Sequence, residues 1–354
     1  MTKISVGVLG ATGAVGQRFA QLLVDHPYFD LTTLAASERS AGKTYQEATN
    51  WILPEPMPPH LAQMEVLPMS TNLDCALLFS ALPTASAGEW ESQYAAAGYG
   101  VFSNAGAHRM DRDVPLLIPE VNPEHLNLLP QQQQNRGWSK GFIVTNPNCT
   151  SIPMTMALAP LHPHFGVETV IATSMQALSG AGYPGVPSLD AMDNVIPFVA
   201  ESEEIKMNIE PNKMLGVSNG QEVIPAGITI SAHCNRVPVT DGHLVTVSVR
   251  FKNKPSLDDI LTAWHDWQPV PQQLGLPFAP QPALVVRTEQ NRPQPRLDRD
   301  AGRGMAASVG RLRPCEALDV RFVALAHNTI RGAAGGSVLN AELMYAQGQL
   351  DNFK

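Results

Sequence analysis

A short apolar run, Ile4-Ser5-Val6-Gly7-Val8-Leu9, breaks into Gly10-Ala11-Thr12-Gly13-Ala14-Val15-Gly16 and then into a helical stretch from Val15 to Leu23 that ends near His26-Pro27. Few patterns restrict a fold as much. The run reads as a buried parallel strand, and such a strand must be covered by helices on both faces. The opening therefore predicts a βαβ unit and a doubly wound sheet. Further apolar runs at Leu31–Ala36, Cys75–Ser80, Gly100–Ser103 and Phe142–Thr145 supply its other strands.

The glycine turn has two readings. It cradles a pyrophosphate on the N–H groups at a helix N-terminus, or it needs glycine only for its dihedrals. Its spacing is GxxGxxG, not GxGxxG. About 20 residues on, where the ribose of a dinucleotide is usually read, stands Ser37-Glu38-Arg39-Ser40. The carboxylate favours a free 2′-hydroxyl, whereas Ser37, Arg39, Ser40 and Lys43 favour a 2′-phosphate. The balance favours NADP.

Beyond position 149 the pattern changes. Val167–Ala177 and His243–Lys252 are long and β-branched, and the second alternates: Val245, Val247, Val249 and Phe251 share one face, Thr246, Ser248, Arg250 and Lys252 the other. A one-sided sheet of mixed or antiparallel strands follows, in an α+β second domain. The last stretch, Ala333 to Gly348, has helical spacing and is expected to pack back on the first domain. The expected division is 1–149 completed by 329–354, and 150–328. Trp51–Met64 and Leu129–Lys140 read as long surface connections.

A chain of 354 residues suits two domains. With a net charge of −8 and scattered basic residues, it lacks the stripe that nucleic-acid binding requires. No apolar run nears the ~18–20 residues of a membrane helix, and no secretory signal opens the chain, so a cytosolic protein is expected. The cysteines at 75, 149, 234 and 315 form no CxxC pair and no zinc-site spacing, so reduced thiols and no metal are expected.

One cysteine stands out. Asn146-Pro147-Asn148-Cys149-Thr150-Ser151 follows a strand and precedes an apolar helix, whose N-terminal partial charge favours a thiolate. A lone cysteine at a strand end is more often a buried structural thiol.

GATGAVG, SERSAGK, NAGAHRMD, NPNCTSIP, QALSGAGYPG, EPNK, RVPVTDGH, RPQPRLDRDAGRGM and HNTIRGAAG occur in this order. Over about residues 4–350 the chain resembles the aspartate-semialdehyde dehydrogenase family, in the style of its archaeal and fungal branch. The resemblance implies a Rossmann-type N-terminal sheet that binds NADP through Gly10, Thr12, Gly13, Ala14, Val15, Gly16, Ser37, Arg39 and Ser40. It also implies an α+β catalytic and dimerisation domain of the glyceraldehyde-3-phosphate dehydrogenase-like type. Cys149 is then the nucleophile that carries a thioester, His243 the acid/base group, and Gln176 the residue that orients the acyl-enzyme. Arg236 would clamp the substrate carboxylate, Glu210 the amino group, and Arg109, Lys213 and Asn148 the phosphate. Ser179, Gly180 and Asn328 would lie at the nicotinamide. The reaction implied is NADPH-dependent reductive dephosphorylation of L-aspartyl-4-phosphate to L-aspartate-4-semialdehyde, by a homodimer or homotetramer.

By residue type alone these positions have plainer readings: His243 a core histidine, Arg236 a surface cation, Glu210 and Lys213 an i,i+3 pair on a solvated face. Two alternatives share the machinery, an acyl-CoA reductase of the malonyl-CoA type and a non-catalytic NADP-binding redox sensor.

Overall fold

A computed structural model describes residues 3–354. The apolar run forms β1 (Ile4–Leu9), near the middle of a six-stranded sheet. Its companions are β2 (Phe29–Ala36), β3 (Val66–Pro68), β4 (Leu77–Ser80), β5 (Gly100–Ser103) and β6 (Phe142–Thr145). The order is β3-β2-β1-β4-β5-β6 and every pairing is parallel. The direction of winding reverses between β1 and β4, and the crevice at the carboxyl ends of such a pair is where open α/β sheets bind ligands. Gly10 turns there with φ +69°, and a β-carbon on it would lie 2.8 Å from the carbonyl oxygen of Ala81 just past β4.

Both faces of this sheet are buried, as a parallel sheet requires. One cover is the helix Gly335–Ala346, which places Val338, Leu339, Leu343 and Met344 in the same core as Val6, Phe79 and Phe102. A buried contact between His26 Nε2 and Glu342 Oε1, 2.8 Å, ties that helix to the turn before β2. The C-terminal stretch thus packs back on the first sheet.

The second sheet is mixed, in the order β10-β7-β11-β14-β13-β12. Its strands are β7 (Val167–Gln176), β10 (Thr229–Arg236), β11 (His243–Phe251), β12 (Leu284–Arg287), β13 (Ala307–Pro314) and β14 (Val320–Ala326), with β8 (Val217–Ser218) and β9 (Val223–Ile224) forming a separate small ladder. Along β11 the alternation is as expected: His243, Val245, Val247, Val249 and Phe251 are buried, while Thr246 and Arg250 are exposed. The buried face packs on the helix Ser151–Leu158, itself buried along its whole length. No helix among the described residues is long and apolar enough to cross a membrane.

Two sequence expectations need correction. Leu129–Lys140 is not a plain connection: Leu129–Arg136 is a helix, opened by Pro130 in its first turn and stopped by Gly137 at φ +67°. Gln132 is buried there, its side chain bonding Asp113 and both backbone groups of Ile143. Trp51–Met64 likewise contains a single turn, Pro59–Ala62.

Candidate active site

The mixed sheet delivers its chemistry to one edge. Gln176 ends β7 and Arg236, its register partner, ends the parallel β10. His243 opens the antiparallel β11 opposite Ala326, after which the chain turns through His327-Asn328. Four neighbouring strands therefore present Arg236, Gln176, His243 and Asn328 side by side. From the parallel sheet, β6 runs into Asn148-Cys149-Thr150 and the start of the Ser151–Leu158 helix. Between these two edges lies a cavity of about 670 Å³.

Cys149, partly exposed, opens into that cavity together with Asn148, Gln176, Arg109 and Arg236. Gly332 forms the wall behind the sulfur: a β-carbon there would stand 2.6 Å from Cys149 Cβ. Burial, and then the Glu203 carboxylate, push the thiol up to about 11, against the opposing pull of Arg109 and Arg236. The helix terminus is where the sequence placed it, and desolvation and the nearby carboxylate act against the thiolate it favours.

His243 is fully buried, and burial, then Arg236, then His327 lower its pKa to about 3. Its Nδ1 accepts the N–H of Ala177 at 3.1 Å, so the ring hydrogen sits on Nε2. Nε2 has no partner. Gly180 keeps the space beside it clear, since a β-carbon there would lie 3.1 Å from Nε2 and 2.9 Å from Arg236 Nη1. Arg236 is held by Ala177 O, 2.8 Å, and by a backbone bridge to Ile196.

Arg109 reaches the cavity from the first sheet, paired with Glu210 Oε1 at 3.1 Å and Asn104 O at 2.8 Å. Glu210 is buried, and its other oxygen accepts the backbone N–H of Asn148 at 2.6 Å. Lys213 is also buried, donating to the carbonyls of Arg109, Asp111 and Val114 at 2.8, 2.7 and 2.8 Å. Neither lies on a solvated face, and they do not pair with each other. Neither lines the cavity. Glu203 and Lys206, one stretch earlier on the same helix, do. The sequence reading missed them, although the E-x-x-K spacing occurs at 203/206 as well as 210/213.

Ala14 and Val15 line the same cavity, so the helix Ala14–Leu23 aims its N-terminus toward the sulfur. That terminus has no side-chain cap, and the N–H groups of Ala14, Val15 and Gly16 have no partner among the described residues. A β-carbon on Gly16 would fall 2.2 Å from Gly10 O, so the turn closes only with glycine. Gly10, Thr12 and Gly13 complete it. These free donors suit a pyrophosphate. Ser37, Arg39 and Ser40 follow β2 at the end adjoining the turn, where Ala11 N bonds Ala35 O at 3.1 Å; Ser37 and Arg39 are exposed. Asn328 sits across the cavity, donating to Ser179 Oγ at 2.8 Å and accepting from Gly242 N at 2.8 Å.

A nucleotide turn and a cysteine in one cleft, between a doubly wound sheet and a mixed sheet, define a semialdehyde dehydrogenase. Family models agree: residues 5–129 match the semialdehyde dehydrogenase NAD binding domain and residues 158–331 the semialdehyde dehydrogenase dimerisation domain. More narrowly, the chain belongs to the aspartate-semialdehyde dehydrogenase family. It is 53% identical to the aspartate-semialdehyde dehydrogenase of Archaeoglobus fulgidus, across 97% of this chain and 98% of that one. Identity to the Methanothermobacter thermautotrophicus protein of the same name is 50%, across 96% and 99%. The crystal structure of aspartate semialdehyde dehydrogenase with NADP from Candida albicans superposes with a TM-score of 0.89 at 39% identity, covering 100% of both chains.

Proposed function

We propose that this chain catalyses the reversible, NADPH-dependent reductive dephosphorylation of L-aspartyl-4-phosphate to L-aspartate-4-semialdehyde, a step in the biosynthesis of lysine, threonine, methionine and isoleucine. The observation that carries this reading is a single cavity shared by Cys149, two buried arginines and the uncapped N-terminus of the glycine-turn helix.

In the phosphorylating direction Cys149 Sγ adds to the aldehyde carbon and its proton goes to the aldehyde oxygen, forming a hemithioacetal. Arg236 holds the substrate carboxylate, and Gln176 and Asn148 flank the reacting carbon. His243 Nε2–H donates to the hemithioacetal oxygen, its Nδ1 being occupied by Ala177 N–H, and as the hydride leaves the carbon the hydroxyl proton passes to solvent in the cavity. NADP, when bound, accepts the hydride that leaves the hemithioacetal carbon and turns it into a thioester. Arg109 then orients phosphate, whose oxygen attacks the thioester and expels Sγ as thiolate, while the phosphate proton is released to solvent. Gly10, Thr12, Gly13, Ala14, Val15 and Gly16 would hold the pyrophosphate, Ser37, Arg39 and Ser40 the 2′-phosphate, and Ser179, Gly180 and Asn328 the nicotinamide.

The division into 1–149 with 329–354, and 150–328, is supported by a first core drawn mostly from the former and a second drawn mostly from the latter, although Leu276 and Met305 join the first core and Leu116 and Ile118 the second. A cytoplasmic homodimer fits the second part, where Ile171, Leu189, Met192 and Phe198 expose apolar surface inside the segment that matches a dimerisation domain.

The test is direct. Purified protein with NADP, phosphate and aspartate semialdehyde should generate NADPH absorbance, and Cys149→Ala should abolish turnover while NADP binding stays nearly intact. Substantial turnover by the variant would remove Cys149 as nucleophile. Turnover of an acyl-CoA with none of aspartate semialdehyde would move the protein to another substrate class.

A further inference from the structure

The glycine turn can offer its N–H groups to a pyrophosphate only if its carbonyls are held the other way. Two side chains hold them. The hydroxyl of Tyr45, a ring with no exposed surface, donates to Ala11 O at 2.7 Å, and Gln17 Nε2 donates to Thr12 O at 3.1 Å. Neither carbonyl has another partner among the described residues. A trans peptide sets its C=O and N–H on opposite sides, so the grip of Tyr45 on Ala11 O turns the Thr12 N–H outward. Like those of Ala14, Val15 and Gly16, that N–H is free among the described residues.

Tyr45 lies shortly after Arg39, in a segment that is tied down at each step. The loop assigned to the 2′-phosphate closes on itself, with Ser40 N and Ala41 N bonding Ser37 O at 2.8 and 3.2 Å. Gly42 N then bonds Val66 O, Val66 N bonds Lys43 O and Tyr45 N bonds Met64 O, at 2.8, 2.9 and 2.8 Å. The Glu47 carboxylate accepts the N–H and the hydroxyl of Thr44 at 3.0 and 2.8 Å, which starts the single helical turn Tyr45–Ala48. Past that turn, Asn50 O and Ile52 N meet the amide of Gln17 at 3.0 and 2.9 Å. One stretch of chain, 37–52, thus carries the 2′-phosphate loop at its head and grips the pyrophosphate turn through Tyr45 and Gln17.

Resting on the reading of Ser37, Arg39 and Ser40 as the 2′-phosphate site, we propose that Tyr45 is the positioning residue that sets the register between the two phosphate sites. The preference for NADP over NAD then depends on the Tyr45–Ala11 bond as well as on Arg39. Tyr45 is enclosed and does not touch the cofactor; its hydroxyl fixes where the Thr12 N–H stands relative to Arg39 and Ser40. A dinucleotide that bears a 2′-phosphate must satisfy turn and loop at once. NAD makes no such demand on the loop.

The test measures dissociation constants on the full chain, by calorimetric titration for NADP and by displacement of NADP for NAD. Native protein, Tyr45→Phe, Arg39→Ala and the double variant are compared. Tyr45→Phe keeps the ring and removes only the hydroxyl. It is expected to narrow the NADP-over-NAD ratio by about threefold to tenfold, and Arg39→Ala is expected to cost NADP that much less in the Tyr45→Phe background than in the native one. A purely structural role weakens both cofactors alike and leaves the ratio where it was. Glu47→Ala, an exposed change that loosens the Thr44 anchor, is expected to narrow the ratio in the same direction, and it carries the test should Tyr45→Phe not fold. An unchanged ratio in the folded variant, or additive losses in the double variant, overturns the assignment. Equal weakening of NADP and NAD by Arg39→Ala in the native background overturns the 2′-phosphate reading of the loop, and the assignment with it.

Discussion

Replacing Gly332 by alanine adds one methyl group and should cripple the nucleophile. The new β-carbon would stand 2.6 Å from Cys149 Cβ and 3.2 Å from its Cα. Carbon atoms rest at about 3.5–4.0 Å, so something must move by roughly 1 Å. Gly332 is not among the glycines at positive φ, so the backbone itself tolerates alanine and the cost is steric. The wall has little freedom to retreat. Its neighbour Arg331 is locked to Glu120 by two buried bonds of 2.7 and 2.6 Å, and Gly332 N is bonded to His327 O at 2.9 Å. The cysteine yields instead. A misplacement of about 1 Å costs on the order of a hundredfold in turnover, and overpacking costs about 1–3 kcal/mol of stability. Turnover with aspartate semialdehyde, NADP affinity and a urea unfolding midpoint should be measured on one preparation. The expected pattern is a kcat lowered by about two decades with NADP affinity nearly unchanged. A kcat within about twofold of native would show that the wall gives way, and the steric argument would be refuted.

Other outcomes follow from the same geometry. Arg39→Ala should raise the KM for NADP far more than that for NAD, since only NADP offers the exposed guanidinium a 2′-phosphate; equal changes would make Arg39 a loop cation. Alkylation of Cys149 by iodoacetamide should accelerate toward a midpoint near 11, lower in Glu203→Gln, which removes the carboxylate that raises it, and higher in Arg236→Leu, which removes a cation that lowers it. Shifts of the opposite sign would contradict this electrostatic account. His125, enclosed with Nε2 on Gly216 O and Nδ1 on Asn122, is held at about 4 by burial and then Lys213, against an ordinary 6.5. The unfolded chain takes up a proton that the folded chain refuses, so this contribution is full above about pH 6.5 and is lost as pH falls to about 4. Its ceiling is roughly 3 kcal/mol. His125→Asn should therefore flatten the decline in unfolding free energy between pH 7 and pH 4, and an unaltered slope would count against it.

Local chemistry wrote much of the fold into the chain. Buried strands announce themselves by apolar runs, the glycine turn by the close approach of Gly16 to Gly10 O, and the single covered face of β11 by its strict alternation. Even the helix Leu129–Arg136 was signalled by Pro130 and Gly137, and was overlooked because a run of glutamines has no apolar period. Ordered motifs likewise picked out Cys149, Gln176, Arg236 and Asn328, which the structure gathers around one cavity. What a linear pattern cannot hold is the third dimension of polar satisfaction. Glu203 and Glu210 share a residue type, a helix and a face, yet one opens to the cavity while the other is consumed by Arg109 and Asn148 N, partners 101 and 62 residues away. The thiol and the histidine follow the same rule. Their proton affinities are set by desolvation and by charges brought in from other strands, so only the packed structure decides whether Cys149 rests as a thiol and which nitrogen of His243 carries the hydrogen.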